Sequence, residues 1–249
     1  MKIAGLEVLR SFCSPSEARA IFGAASRLSL RATDASLNDG RKARTSDAHN
    51  INSREEYKSL ALPLDDDEGT ATCEHFANYG DGHALTYFRS KLPSLGAPQL
   101  RERFYALPSV RTELISSRQR LGRPEDADLK WKLTLNRYDS REPGPAALRP
   151  GFPWHRDLES NGCATFILNL GGSGSLEFGE EPKTDAPVDG MRYSDHTAAL
   201  GAEVPVIESV DLHDGDLLVI TDEARWTYLH RVLPNRTSEE RVSLVYGVW

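Results

Sequence analysis

Cysteine is scarce in this sequence of 249 residues, which contains only Cys13, Cys73 and Cys163. Their number is odd, their spacing is wide, and no Cys-x-x-Cys pair occurs. Disulfide scaffolds need paired cysteines, and cysteine zinc sites need closely spaced ones. The sequence therefore argues against both classes, and a reducing cytoplasm is the expected location.

Long apolar runs are also lacking. No run approaches the roughly 18–20 residues that a membrane-spanning helix requires. Glu7 and Arg10 come too early for the apolar core of a secretory signal. The sequence thus predicts a protein with no membrane partner.

Basic residues are outnumbered by acidic ones, 30 against 37, which gives a formal net charge of −7 at pH 7. This balance argues against nucleic acid as a general partner. One polar segment, from about Leu30 to Tyr57, runs against the trend and offers a local basic patch. Its basic residues are Arg31, Arg41, Lys42, Arg44 and Arg54.

The chain is predicted to form a single domain over residues 1–249, because no linker-like stretch divides it. Residues 1–128 form a region of helix and loop. Ser14-Pro15-Ser16-Glu17 matches a capping box with proline at the first helical position. A second helical stretch covers about Pro98 to Arg120, with an interruption at Pro108.

Residues 129–249 consist of short β-rich runs separated by loops. Such runs in series, without long helices between them, predict an antiparallel sandwich or barrel. The stretch from Glu180 to Gly201 is predicted to be a long inserted loop. The runs begin at Trp131, Cys163, Val204, Gly215 and Arg241.

The segment Trp154-His155-Arg156-Asp157 is the first candidate for chemistry. Residues i and i+2 of a strand face the same side, so His155 and Asp157 can point at one ion. One histidine and one carboxylate are two-thirds of the facial triad of non-heme iron(II) oxygenases. His230 is the best candidate for the third ligand, although His-x-Asp alone occurs by chance in many loops.

Two further strands carry polar rows. In the last run, Val242, Leu244, Tyr246 and Val248 form the buried apolar face, so Arg241 faces the other side. That side is the interior if the sheet closes, and a guanidinium there would suit a dicarboxylate. In the run from Trp131, one face carries Lys132, Thr134, Asn136 and Tyr138. The alternatives are an exposed arginine and a solvated polar face.

The order of these motifs resembles the AlkB-like group of iron(II)/2-oxoglutarate-dependent dioxygenases. The resemblance runs from about Trp131 to Tyr246 and is most specific in LLVITDEARWTYLH, which ends at His230. It implies a double-stranded β-helix, or jelly roll, in a mainly β, α+β chain with the N-terminal helices packed on it. It also implies Fe(II), 2-oxoglutarate as cosubstrate, and O2.

The resemblance assigns roles to individual residues. It implies that His155, Asp157 and His230 bind the metal. It implies that 2-oxoglutarate contacts Asn136, Tyr138, Arg241 and Ser243, with Arg241 on the distal carboxylate. Glu159 falls near an acidic position that faces the substrate in the nucleic-acid enzymes, and Trp154 is a candidate for stacking on a base.

One departure from the family pattern affects the substrate. The AlkB signature has a second arginine six residues after the first, where this sequence has Gly247. Together with the acidic balance, this favours hydroxylation or oxidative demethylation of a small molecule. The alternative is dealkylation of a nucleobase in DNA or RNA, and peptidyl hydroxylation or a non-catalytic binding barrel rank below both.

Overall fold

The structure is a computed structural model. It describes residues 2–38, 59–62, 71–76, 83–88, 97–120, 131–138, 152–157, 162–181, 204–233 and 240–248. The helices in these ranges are α1 (Pro15–Asn38), α2 (Ala97–Tyr105), α3 (Pro108–Arg120) and α4 (Asp222–Trp226). None of these helices combines the length and hydropathy needed to cross a membrane.

Twelve strands are formed by the same described ranges. The first four are β1 (Leu6–Leu9), β2 (Ser59–Leu62), β3 (Ala71–Phe76) and β4 (His83–Phe88). The next four are β5 (Trp131–Tyr138), β6 (Phe152–His155), β7 (Ala164–Gly171) and β8 (Gly174–Gly179). The last four are β9 (Val206–Leu212), β10 (Leu217–Ile220), β11 (Leu229–Val232) and β12 (Arg241–Val248).

The strands form two antiparallel sheets. The major sheet has the order β1-β10-β7-β12-β5-β4-β3-β2, and the minor sheet has the order β6-β11-β8-β9. From β5 to β12 the chain passes back and forth between the sheets, so that each contributes four strands to the same unit. This strand order is that of a double-stranded β-helix, which confirms the predicted fold class.

The outer face of the major sheet packs against helices. Residues of β7 and β12 that alternate along each strand are buried there with side chains from α1, α2 and α3. Phe104 of α2 stacks on Phe166 of β7, with ring centroids 4.5 Å apart. This layer includes Leu168, Leu170, Val242, Leu244, Tyr246 and Val248, as the sequence predicted for the last strand.

A second apolar cluster lies between the two sheets. It contains Ile167, Leu176, Phe178, Val210, Leu212, Leu218 and Ile220, with Val245 packed against it. The intervening residues of β7 and β12 therefore face the minor sheet. This places the polar residues of those rows inside the barrel, where any ligand would be shielded from water.

The N-terminal region agrees with the prediction in some elements and differs in others. Ser14 and Glu17 form the capping box, since the Ser14 amide donates to the Glu17 carboxylate at 2.8 Å. The helical stretch breaks before Pro108, where α3 begins. In contrast, α1 continues to Asn38, and β2 to β4 add strands where only helix and loop were predicted. Alanine, leucine and arginine in residues 28–36 favour the longer helix.

Candidate metal centre

Two neighbouring strands of the minor sheet bring the two candidate histidines together. Strand β11 pairs antiparallel with β6, and His230 lies directly opposite His155 in the register. Their rings are 4.2 Å apart, centroid to centroid, and tilted by 54°. Asp157 follows two residues after His155, just beyond the end of β6. The histidine spacing thus comes from strand pairing, which the sequence alone does not specify.

The three side chains converge on one point. Their candidate ligand atoms all lie within 4.8 Å of one another. The separation between His155 Nε2 and Asp157 Oδ1 is 3.9 Å. Two atoms bound to one ion at about 2.0–2.2 Å are at most about twice that distance apart. Small side-chain rotations therefore suffice for His155, Asp157 and His230 to hold one metal ion.

The carboxylate of Asp157 is held in place by its surroundings. Thr165 of β7 donates a hydrogen bond from Oγ1 to Oδ2 at 3.2 Å, which leaves Oδ1 facing His155. Burial alone would raise the pKa of Asp157, but the neighbouring His230, Arg225 and His155 and the Thr165 hydrogen bond lower it to about 2. Asp157 is therefore ionised, the state in which a carboxylate binds a metal.

His230 is kept neutral. Burial lowers its pKa to about 3, helped by the neighbouring His155 and Arg225 and opposed by Asp157. Phe178 of β8 packs on the imidazole, with ring centroids 5.7 Å apart. A neutral imidazole has a nitrogen lone pair to offer, so this environment suits metal coordination.

A second polar cluster surrounds Arg241, which is fully buried. Its Nη1 donates to Asn169 Oδ1 and to Ser243 Oγ, both at 3.1 Å. Its guanidinium lies 3.8 Å from the centre of the Tyr138 ring. A Cβ atom built on Gly174 of the minor sheet would come within 2.6 Å of Arg241 Nη1. Arg241 therefore points into the space between the sheets, the interior side that the sequence left open.

Asn136 and Tyr138 of β5 stand beside Ser243 and Arg241 of β12 in the register. Burial raises the pKa of Tyr138, although the charge of Arg241 and hydrogen bonds to Arg241, Asn136 and Ser243 act to lower it, so the phenol stays protonated. Asn136 Oδ1 is buried and has no hydrogen-bond partner in the described part of the chain. A buried amide oxygen without a partner is costly, and only a group that donates a hydrogen bond can satisfy it.

Comparisons with known proteins add little to this geometry. No protein-family model matches the chain, and no curated protein matches it. The structure of OsALKBH1 aligns with 14% identity and a TM-score of 0.42, covering 99% of this chain and 98% of that chain. The non-heme alpha-ketoglutarate-dependent epimerase SnoN from nogalamycin biosynthesis aligns with 15% identity and a TM-score of 0.39, covering 97% and 77%. Similarities this weak carry no functional argument.

Trp154 is not brought to the metal ligands. It neighbours His155 on β6 and so faces the opposite side of the minor sheet. Arg231 stacks over its ring at 4.7 Å from the centroid and also donates to Glu177 at 2.7 Å. Glu159, most of the basic segment from Leu30 to Tyr57 and most of the loop from Glu180 to Gly201 lie outside the described residues.

Several residues of the site were not identified from the sequence. Thr165 and Asn169 are polar residues inside an apolar strand, and that interruption was the available signal. Gly174 begins a glycine-containing strand that the sequence reading did not recognise. Arg225 belongs to the motif that ends at His230, but only the structure shows what its buried guanidinium contacts.

Proposed function

We propose that this protein is an iron(II)- and 2-oxoglutarate-dependent oxygenase that hydroxylates or oxidatively demethylates a small molecule. The observation that carries the proposal is the convergence of His155, Asp157 and His230 inside a barrel whose interior also holds the buried cation Arg241. Two imidazoles and one carboxylate are the donor set of the non-heme iron(II) oxygenases.

The donor set fits iron(II) because it combines two imidazoles, of which His230 is held neutral, with one ionised carboxylate. His155, Asp157 and His230 would hold the ion, and Thr165 would fix the carboxylate that binds it. The chemistry that iron(II) and 2-oxoglutarate supply when bound is the O2-dependent oxidation of a substrate C–H bond.

The cluster around Arg241 fits a dicarboxylate. Its planar guanidinium matches a carboxylate in two parallel hydrogen bonds, and such charge-assisted bonds are strongest away from water. Asn169 and Ser243 orient the guanidinium, and Asn136 lies opposite Ser243 in the same polar row. These residues would bind 2-oxoglutarate and keep its distal end fixed.

A small-molecule substrate is favoured over a nucleic acid by three features. The net charge of −7 opposes binding to a phosphate backbone. Gly247 of β12 lies opposite Thr165, the residue that donates a hydrogen bond to Asp157. No side chain therefore projects from position 247 toward the Asp157 carboxylate. Trp154, the aromatic considered for stacking on a base, faces away from this space.

Uncoupled turnover tests the reaction class. Anaerobic addition of Fe(II) and 2-oxoglutarate should give a weak visible charge-transfer band, and O2 should then yield succinate. Asp157→Ala should abolish both signals because the metal loses its anionic ligand. His213→Ala, which changes an exposed histidine outside the triad, should retain them. Absence of both signals from the wild-type protein, or full turnover by Asp157→Ala, would refute the proposal.

A substrate screen tests whether the substrate is a small molecule. N-methyl and O-methyl small molecules should raise succinate formation above the uncoupled level, with release of formaldehyde. A methylated single-stranded oligonucleotide should not, and should show no salt-dependent binding. Oligonucleotide-stimulated turnover that weakens with salt would instead establish the nucleobase alternative.

A further inference from the structure

Arg225 is a buried guanidinium close to the metal ligands, with only 2% of its surface exposed. It lies on the short helix α4, five residues before His230. Its Nη1 donates to the backbone carbonyl of Asp157 at 2.9 Å, and its Nη2 donates to the carbonyl of Gly162 at 2.8 Å. One side chain therefore bonds the backbone carbonyls of both Asp157 and Gly162, and Asp157 is a candidate metal ligand.

These contacts connect two parts of the chain whose relative position must be fixed for a metal to bind. Asp157 comes from the end of β6, while His230 comes from β11. Because Arg225 and His230 belong to the same short stretch, the two carbonyl contacts fix the backbone of Asp157 relative to His230. Arg has the fork geometry to reach two carbonyls at once, whereas lysine presents a single point charge.

Arg225 is itself supported from the helical layer. Its guanidinium lies 4.4 Å from the centre of the Trp226 ring. The indole nitrogen of Trp226 donates to Glu113 of α3 at 3.2 Å, and Glu113 also accepts a hydrogen bond from Ser117 at 2.9 Å. A continuous set of contacts thus runs from α3 through Trp226 and Arg225 to Asp157.

We propose that Arg225 is a positioning residue of the metal centre, which holds the Asp157 backbone so that its carboxylate meets the two imidazoles. The inference rests on the proposed metal site. Residues that orient metal ligands in other proteins change metal affinity about 10- to 100-fold when they are replaced. The same range is expected here, with no change in the identity of the ligands.

Titration of the metal-free protein with Co(II), followed by visible absorption, tests this role. Arg225→Lys keeps the charge but loses the fork, and Arg225→Gln loses both. Each should weaken Co(II) binding about 10- to 100-fold and alter the spectrum of the bound ion. Trp226→Phe keeps a stacking ring but loses the bond to Glu113, so a smaller weakening of a few-fold is expected.

Arg231→Lys is the matched control. Arg231 also bonds a neighbour and stacks on an aromatic ring, but it does so on the outer face of the minor sheet. This variant should bind Co(II) as the wild type does. A merely structural role for Arg225 would lower the stability of its variants toward urea and leave the Co(II) spectrum of the folded protein unchanged.

The outcomes separate this inference from the proposed function. Wild-type Co(II) affinity and spectrum in folded Arg225→Lys would overturn the positioning role while leaving the metal site intact. If neither Arg225 variant folds, an unchanged affinity in Trp226→Phe would overturn it as well. A wild-type protein that binds no Co(II) would overturn the metal centre itself, and the role of Arg225 with it.

Discussion

Arg241 and Arg225 are two buried cations with different kinds of partner. Arg241 points between the sheets and contacts the neutral side chains of Asn169, Ser243 and Tyr138. Arg225 instead donates to backbone carbonyls behind the candidate metal ligands. Burying a charge is costly unless it is well bonded. We infer that Arg241 faces the proposed ligand space, whereas Arg225 holds the backbone of the scaffold.

Replacement of Arg241 should affect the cosubstrate more than the metal. Arg241→Ala removes the buried cation, and a charge-assisted pair with a carboxylate is worth about 1.5–3 kcal/mol. The KM for 2-oxoglutarate should therefore rise about 10- to 100-fold, as measured by succinate formation. Arg231→Ala, on the outer face, is the control and should leave KM unchanged. An unaltered KM in Arg241→Ala would remove that residue from the cosubstrate site.

Gly174 should matter because it leaves room for the Arg241 guanidinium. A Cβ atom there would lie 2.6 to 2.8 Å from three guanidinium atoms, so Gly174→Ala must displace the group. The KM for 2-oxoglutarate should rise while the affinity for Co(II) stays the same. Ser175→Ala, one residue along and facing outward, should change neither. A wild-type KM in Gly174→Ala would show that the guanidinium can shift without consequence.

The stability of the metal-free protein should fall in acid because of His230. Its pKa is about 3 in the folded state and near 6.5 when unfolded, so the unfolded chain binds the extra proton between these values. The stabilising contribution is present above pH 6.5 and is lost as pH falls toward 3. Each pKa difference of one is worth about 1.4 kcal/mol.

Urea unfolding of the metal-free protein at several pH values measures this effect. His230→Gln should flatten the pH dependence between 6.5 and 3, because glutamine does not titrate. Asp157 acts in the same direction at lower pH, between about 3.8 and 2, since its folded pKa is also lowered. A pH profile of His230→Gln that matches the wild type would contradict this assignment.

At the scale of elements, strand pairing brings together residues that are far apart in the sequence. His155 and Asp157 were recognisable as a local motif, and Arg241 could be assigned to a face by its apolar neighbours. The convergence of His230 depends on the register between β6 and β11, which no local pattern encodes. Likewise Arg225 was visible within its motif, yet its contacts cross to Asp157 and Gly162.

Strands β8 and β2 to β4 were not predicted from the sequence, for two different physical reasons. Strand β8, Gly174–Gly179, carries glycine at both ends, which weakens the strand pattern although the register places it between β11 and β9. In the major sheet β4 pairs with β5, β3 with β4 and β2 with β3. These three strands thus join the sheet through the single pairing of β4 with β5, which no local pattern encodes. The long runs of β5, β7 and β12 were predictable because their alternation matches two different environments.

Gly162 lies just before β7, where the chain passes close to the end of β12. It has a φ of +104°, and a Cβ atom there would lie 2.5 Å from the backbone nitrogen of Val248. Gly162→Ala should therefore destabilise the protein by about 1–3 kcal/mol or more, seen as a lower midpoint of urea unfolding. Wild-type stability in this variant would mean that β7 and β12 can separate at this end without cost.

At the scale of the whole molecule, the layer between helices and major sheet is apolar, and the layer between the two sheets is partly polar. Helices cover the outer face of the major sheet, and an apolar cluster fills part of the space between the sheets. The remaining interior is polar, with His155, Asp157 and His230 on the minor-sheet side and Arg241 on the major sheet. We propose that metal and cosubstrate bind in this shared interior, held by both sheets.

Anomalous diffraction from a crystal grown anaerobically with Mn(II) and 2-oxoglutarate tests this account most directly. Mn(II) stands in for iron(II) and does not turn over. The account predicts one strong anomalous peak bonded to His155, Asp157 and His230, with 2-oxoglutarate bound to the metal and its distal carboxylate on Arg241. A peak elsewhere, or 2-oxoglutarate bound without Arg241, would contradict it.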